Sequence, residues 1–204
     1  MATEPTVHVV DDDVAVRNAL GMLLHAAQYP CRQYASASDF LDAYEPGTPG
    51  CLVLDLHMPG VDGLGLQELL ASREIELPII FLTGHANVPD AVRAMQGGAV
   101  DFMEKPFNSD RLLERVKQAL QRDAENRARS RQDAVVHARR KRLTPREAEI
   151  LDLILQGKAS KVIAIELGIS ERTVELHRSR ILRKLGVRNA SELMRLLLPQ
   201  DRSP

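Results

Sequence analysis

The chain has 204 residues, 44% of them hydrophobic and 27% charged, with a formal net charge of −1. That balance excludes a disordered tail and leaves room for one large or two modest globular domains. No apolar run approaches the ~18 residues of a membrane span, and the opening MATEPT lacks the basic and apolar regions of a secretory signal, so a cytoplasmic protein without a membrane partner is expected.

Along the chain the charge is uneven. Residues 1–120 hold 8 Lys/Arg against 17 Asp/Glu, residues 121–142 hold 8 against 3, and residues 143–204 hold 11 against 8. An acidic module joined to one that meets an anion such as nucleic acid would show this asymmetry, although solvated faces that differ by chance would show it too.

Short apolar runs rich in β-formers recur through the first half: TVHVV, CRQYA, CLVLD, PIIFLT and VDFM. Helical patterns separate them, which reads as βα units around a parallel sheet covered on both faces. The first helix, from Asp13 to Gln28, places Val16, Leu20, Leu23, Leu24 and Ala27 on one stripe. Ser36 or Ser38 can cap the next helix, and Gly97-Gly98 ends the helix before the fifth strand. The expected fold is a five-stranded doubly wound sheet of order 2-1-3-4-5 followed by an all-α domain. Cys31 and Cys51 fall in strands, which suits small buried thiols better than a disulfide or a metal site. His8, also in a strand, reads as a packed residue.

The segment from Gln121 to Arg142 has no sustained apolar stripe and no Gly or Pro, and reads as an exposed, basic, helical linker. Beyond it, Thr144 and Glu147 form a capping box with Pro145 at the first helical position. A short helix around Lys161 to Leu167 stops at Gly168, Ser170 caps a longer one through Leu185, and Asn189 with Glu192 starts the last. The pair meeting at Gly168 has helix-turn-helix spacing. The boundaries expected are 1–122, 123–142 and 143–204.

Ligands of an open parallel sheet bind beyond the carboxyl ends of its strands. Asp11 and Asp12 stand at the first such end, Asp55 at the third, Thr83 at the fourth and Lys105 at the fifth. Two carboxylates ~4 Å apart repel by about 4 kcal/mol at a protein-like dielectric, so a cation has to offset their convergence. Asp13, next in the run, serves better as a helix cap.

The combination of DD, D-x-x-MPG-x-D-G, TGHA and KPF, spread over about residues 5–122, resembles that of response-regulator receiver domains. The resemblance implies that Asp55 accepts a phosphoryl group from the phosphohistidine of a sensor histidine kinase. It also implies Mg²⁺, with Mn²⁺ as a substitute, held by Asp11, Asp12, Asp55 and the backbone carbonyl of His57. Lys105 would then stabilise the transferring phosphoryl group, and Thr83 would bind it once formed. Phe102 occupies the position of the family's switch aromatic and would turn inward behind Thr83, reshaping the surface from Val88 to Phe102; plain core packing would explain it too.

The stretch from Gly157 to Val187 is similar to the LuxR-type helix-turn-helix of the NarL/FixJ regulators, with matches at Lys161, Ile163-Ala164, Leu167, Ile169-Ser170, Thr173-Val174, His177, Ile181 and Lys184-Leu185. Double-stranded promoter DNA is the implied partner. Glu175, Leu176 and Ser179 face outward and can meet base edges. Lys161, Thr173, His177, Arg178, Arg180 and Lys184 are placed for phosphates. Leu193, Leu196 and Leu197 on the last helix suit a dimer contact or core. The expected protein is therefore a transcriptional regulator, a homodimer when phosphorylated, with RNA polymerase a further candidate partner. It is not an enzyme beyond its own phosphotransfer and dephosphorylation. Two rivals stay open. A haloacid-dehalogenase-like phosphatase would want an acid where His57 stands, and a constitutive DNA-binding protein would use the receiver as a dimerisation scaffold.

Overall fold

Five strands, each followed by a helix, build the first half of the chain in the computed structural model, which describes residues 4–85 and 87–197. The order is β1 (Thr6–Val10), α1 (Val14–Ala26), β2 (Cys31–Tyr34), α2 (Ala37–Ala43), β3 (Gly50–Asp55), α3 (Gly63–Ser72), β4 (Ile79–Thr83), α4 (Val88–Gln96), β5 (Asp101–Glu104) and α5 (Ser109–Arg140). All neighbouring strands are parallel and the sheet order is β2-β1-β3-β4-β5. The register pairs Val10 with Leu54, Asp55 with Leu82 and Thr83 with Glu104, so the acidic, hydroxyl and basic residues come to one end of the sheet.

Alternation along the strands feeds two cores. Leu52, Leu54 and Phe81 pack on one face with Phe40, Leu66 and Leu70, and Val7, Val9, Val53 and Ile80 pack on the other with Leu20, Leu24, Leu112 and Val116. Burial of such side chains contributes roughly 1.5–3 kcal/mol each and supplies the main stabilisation of the sheet. Side-chain caps start the helices as the sequence suggests: Asp13 accepts from the N–H of Ala15, Ser36 from Asp39, and Asn87 from Asp90. His8 is buried against Tyr34, Phe40 and Tyr44, and its Nδ1 lies 3.1 Å from the Tyr34 hydroxyl. Burial, with the charge of Arg32 behind it, drives its pKa down to about 4, so the ring is neutral and packed.

The chain divides into two compact units, one running to Arg127 and the other beginning at Ala128. The exposed linker read from Gln121 onward needs correction at one residue. Asp123 is 2% exposed, accepting from the N–H of Gly50 at 3.0 Å and from Arg127 Nε at 2.6 Å. Arg127 also donates to the carbonyls of Gly47 and Thr48. A polar clamp holds this part of α5 to the loop before β3, where an apolar stripe is not required.

The second unit contains α6 (Pro145–Leu155), α7 (Ser160–Leu167), α8 (Glu171–Leu185) and α9 (Ala190–Leu197). Ile150, Leu151, Ile163, Val174, Ile181, Leu185 and Leu193 form its core. Thr144 and Glu147 make the capping box, and Gly168 closes α7 in the left-handed region at φ +64°, which a β-carbon would disfavour. At α9 the Asn189 side chain accepts from the Glu192 N–H, but the Glu192 carboxylate accepts from Arg188 N–H rather than from Asn189. The described part of α9 ends at Leu197, and Leu198 lies outside the described residues. None of the described helices is long and apolar enough to cross a membrane.

Candidate functional site

At the carboxyl ends of β1, β3 and β5, three charged side chains meet. Lys105 Nζ donates to Asp11 Oδ2 and to Asp55 Oδ1, each at 2.6 Å. Both carboxylates are buried, so the ammonium joins strand ends drawn from opposite reaches of the first unit. The remaining oxygens are also engaged: Asp11 Oδ1 accepts from the N–H of Asp13 at 2.9 Å, and Asp55 Oδ2 from the N–H of His57 at 2.9 Å. Arg17 Nη1 donates to the Asp11 carbonyl at 2.7 Å, fixing the turn from behind.

Glycine shapes the floor of this site. A β-carbon on Gly63, at the start of α3, would lie 2.4 Å from the carbonyl oxygen of Asp55. Only glycine lets that helix approach the strand end so closely. The Lys105–Pro106 peptide bond is cis.

Burial pushes the Asp55 carboxyl up from its ordinary value, with the negative charge of Asp11 acting in the same sense, against the hydrogen bond and charge of Lys105. Lys105 shows the opposite balance. Burial pulls its ammonium down, but hydrogen bonds and charge from Asp11 and Asp55 more than offset this and its pKa is raised. The site is thus a partly compensated acidic pocket with a firmly charged lysine.

Asp12 is exposed at the rim. Among the described residues, no three His, Cys, Asp or Glu side chains are grouped as a metal cluster. The donor chemistry nonetheless fits a hard cation. Asp11 and Asp55 present only oxygen, and they already converge closely enough to share one cationic group, the Lys105 ammonium.

Thr83, at the end of β4, is 0% exposed. Its hydroxyl donates to the carbonyl of His85 at 3.2 Å and accepts from the N–H of the same residue at 3.2 Å. His57 Nδ1 lies 3.3 Å from it. The sequence reading gives His57 only a carbonyl role, and the signal for its ring was a histidine two places beyond a strand-end aspartate. Ala86 of the TGHA motif lies outside the described residues. Phe102, on β5, is half-buried with its ring centroid 6.3 Å from that of Phe81.

Comparison with known proteins matches residues 7–117 to the response regulator receiver domain and residues 141–197 to the bacterial regulatory proteins of the luxR family. The chain is a response regulator. It is 42% identical over 192 residues to the transcriptional regulatory protein FixJ of Azorhizobium caulinodans, covering 94% of this chain and 91% of that one. It is also similar to the solved response regulator StyR, with a TM-score of 0.81 and 44% identity over 96% of this chain and 98% of that one. The isolated FixJ-N structure matches with a TM-score of 0.54 and 41% identity, covering 58% of this chain and 95% of that one. This response regulator is a two-component regulator of transcription, not a metabolic enzyme, with a kinase and DNA as its partners. Receiver domains bind Mg²⁺ at the phosphorylation site.

In the output unit of the response regulator, α8 buries Val174, Ile181 and Leu185 and leaves Glu175, Leu176, Ser179 and Arg180 exposed. Leu176, 51% exposed, is an apolar side chain turned away from the core. Thr173, His177 and Arg178 are half-buried, and Lys161 is exposed on α7. Ser160, at the start of α7, donates to Glu175, which also has Arg178 Nε at 3.9 Å. Lys184 differs from the other cations, because its Nζ donates to the buried Glu147 carboxylate at 2.5 Å. The phosphate contact expected of Lys184 competes with that pair.

Proposed function

We propose that Asp55 is the phosphoacceptor of this response regulator and that its phosphorylation controls DNA binding through α8. The observation that carries the reading is Lys105 held at 2.6 Å from both Asp11 and Asp55, at the ends of three strands. An Asp55 oxygen attacks phosphorus, forming an acyl phosphate as the bond to the kinase's phosphohistidine nitrogen breaks. Burial raises the basicity of that carboxylate and favours the attack. Lys105 places a fixed positive charge where the equatorial oxygens gain negative charge, and Thr83 donates to the product phosphate. Asp11, Asp12, Asp55 and the His57 carbonyl would hold Mg²⁺, or Mn²⁺ in its place, whose chemistry is to neutralise the phosphoryl charge.

Phe102 turns inward against Phe81 once Thr83 moves, and the Val88 to Phe102 surface changes with it. The phosphorylated receiver pairs with a second copy. The receiver spans 1–122, the linker 123–142, its start clamped to the loop before β3 through Asp123 and Arg127, and the output domain 143–204; the protein acts in the cytoplasm and engages RNA polymerase at the promoter. In the output domain Glu175, Leu176 and Ser179 meet base edges, while Lys161, Thr173, His177, Arg178 and Arg180 meet phosphates. Lys184 serves the framework through Glu147.

Operator selection from a random DNA pool, with and without beryllofluoride, tests this reading. The expected result is tighter binding with beryllofluoride and a relaxed preference when Glu175→Ala and Ser179→Ala are combined. An unchanged sequence preference in that double variant would remove the base contacts, and binding indifferent to beryllofluoride would favour the constitutive scaffold.

A further inference from the structure

His57 touches both halves of the receiver site. Its backbone N–H donates to Asp55 Oδ2 at 2.9 Å, and its ring Nδ1 lies 3.3 Å from Thr83 Oγ1. The ring is carried by an exposed residue and reaches a hydroxyl on a fully buried one. A threonine hydroxyl has one proton and two lone pairs. Here three partners compete for them: the His85 carbonyl, the His85 N–H and His57 Nδ1. With Nδ1 unprotonated, the hydroxyl proton is shared between the ring and the His85 carbonyl. With Nδ1 protonated, the ring donates to the second lone pair while the hydroxyl goes on donating its proton to the His85 carbonyl. In both tautomers the hydroxyl has no free proton for a phosphoryl oxygen.

We propose that the His57 imidazole is a positioning residue that holds the Thr83 hydroxyl in its resting orientation and so opposes the switch. The inference rests on the phosphoacceptor reading of Asp55 and adds a restraint to it. Phosphorylation has to draw Thr83 away from the ring before Thr83 can donate to the new group. Because the same residue reports on Asp55 through its N–H, a change at the acceptor disturbs both ends of one short bridge.

Thr83 labelled at its methyl carbon, in full-length protein saturated with Mg²⁺, provides the readout. In His57→Ala, the methyl resonance of the unliganded protein should move part of the way toward its beryllofluoride-bound position. Affinity for beryllofluoride should rise by about threefold to tenfold, the range of one net hydrogen bond. His57→Asn, which keeps a polar atom near the place of Nδ1, should remain close to wild type in both. An unmoved methyl with unchanged affinity in His57→Ala would overturn the proposal. An unmoved methyl with weaker binding would overturn it in favour of a direct contact between the ring and the bound group. Wild-type protein with no beryllofluoride response at all would instead overturn the phosphoacceptor reading, and this inference with it.

Discussion

Two buried carboxylate and lysine clusters sit in the two units, and they are balanced in opposite ways. In the receiver, Asp11 and Asp55 share one ammonium, and burial wins at Asp55, whose pKa is raised. In the output unit, Glu147 also suffers burial, but the hydrogen bond from Lys184 and those with Thr144 win, and its pKa is lowered. Three groups crowd the Glu147 end of α6: the Lys184 ammonium at 2.5 Å, the Thr144 N–H at 2.8 Å, and the Thr144 hydroxyl that caps the helix. One cluster holds two carboxylates against one ammonium, an excess of negative charge that an added cation can relieve. The other is closed within the domain and fixes the start of α6 against α8. A buried ion pair is therefore no guide to function by itself; its charge balance is.

The pH response should separate the two units most widely. His8 titrates at about 4 in the folded receiver against 6.5 ordinarily, so the unfolded chain binds more protons between those values. Receiver stability then falls as pH drops from 6.5 toward 4, by about 3 kcal/mol at most. Glu147 has a lowered pKa, so its contribution is present above its ordinary value of 4.5 and is lost only as pH falls below it. Urea unfolding followed residue by residue should show β1 weakening from pH 6.5 to 4.5 while α6 holds. His8→Leu should flatten the β1 profile. Parallel decline of both elements would show that His8 does not set the pH response of β1.

Removing one carboxylate from each cluster gives the next largest contrast. Glu147→Ala should cost the output unit about 2 kcal/mol, since it leaves Lys184 and the Thr144 N–H without their partner. Asp55→Asn removes one of two like charges and should change receiver stability by less than about 1 kcal/mol in metal-free buffer. Chemical denaturation of each variant decides the matter, and an Asp55→Asn loss as large as that of Glu147→Ala would make the receiver cluster structural.

Within the acidic run Asp11-Asp12-Asp13, neighbouring carboxylates divide between cation binding and helix capping, and the expected effects are smaller. Asp13→Ala should cost about 1 kcal/mol, as loss of other N-caps does, and leave Mg²⁺ affinity nearly unchanged. Asp12→Ala, at an exposed position, should do the reverse. Calorimetric Mg²⁺ titration beside thermal unfolding would show this, and equal Mg²⁺ losses in the two variants would contradict the division.

Much of this was legible because it is local or set by strand order. Asp13, Ser36, Thr144 and Ser170 announce their helices within three residues. Asp11, Asp55, Thr83 and Lys105 come together because each ends a strand of a sheet whose order follows from βα winding. The rest was hidden by distance along the chain. Asp123 and Arg127 look like an ordinary surface pair at helical spacing, yet their other partners are Gly47, Thr48 and Gly50, more than seventy residues away. Lys184 has the pattern of a DNA-facing cation, and only the position of Glu147 on α6 shows where its charge goes. Likewise the ring of His57 finds Thr83 across two strands, a contact that no periodicity encodes.

Phosphoryl transfer to Asp55 is checked by intact-mass measurement after incubation with acetyl phosphate and Mg²⁺. The wild-type chain should gain the mass of one phosphoryl group, and Asp55→Asn should gain none while staying folded. Undiminished labelling of Asp55→Asn would rule Asp55 out as the acceptor.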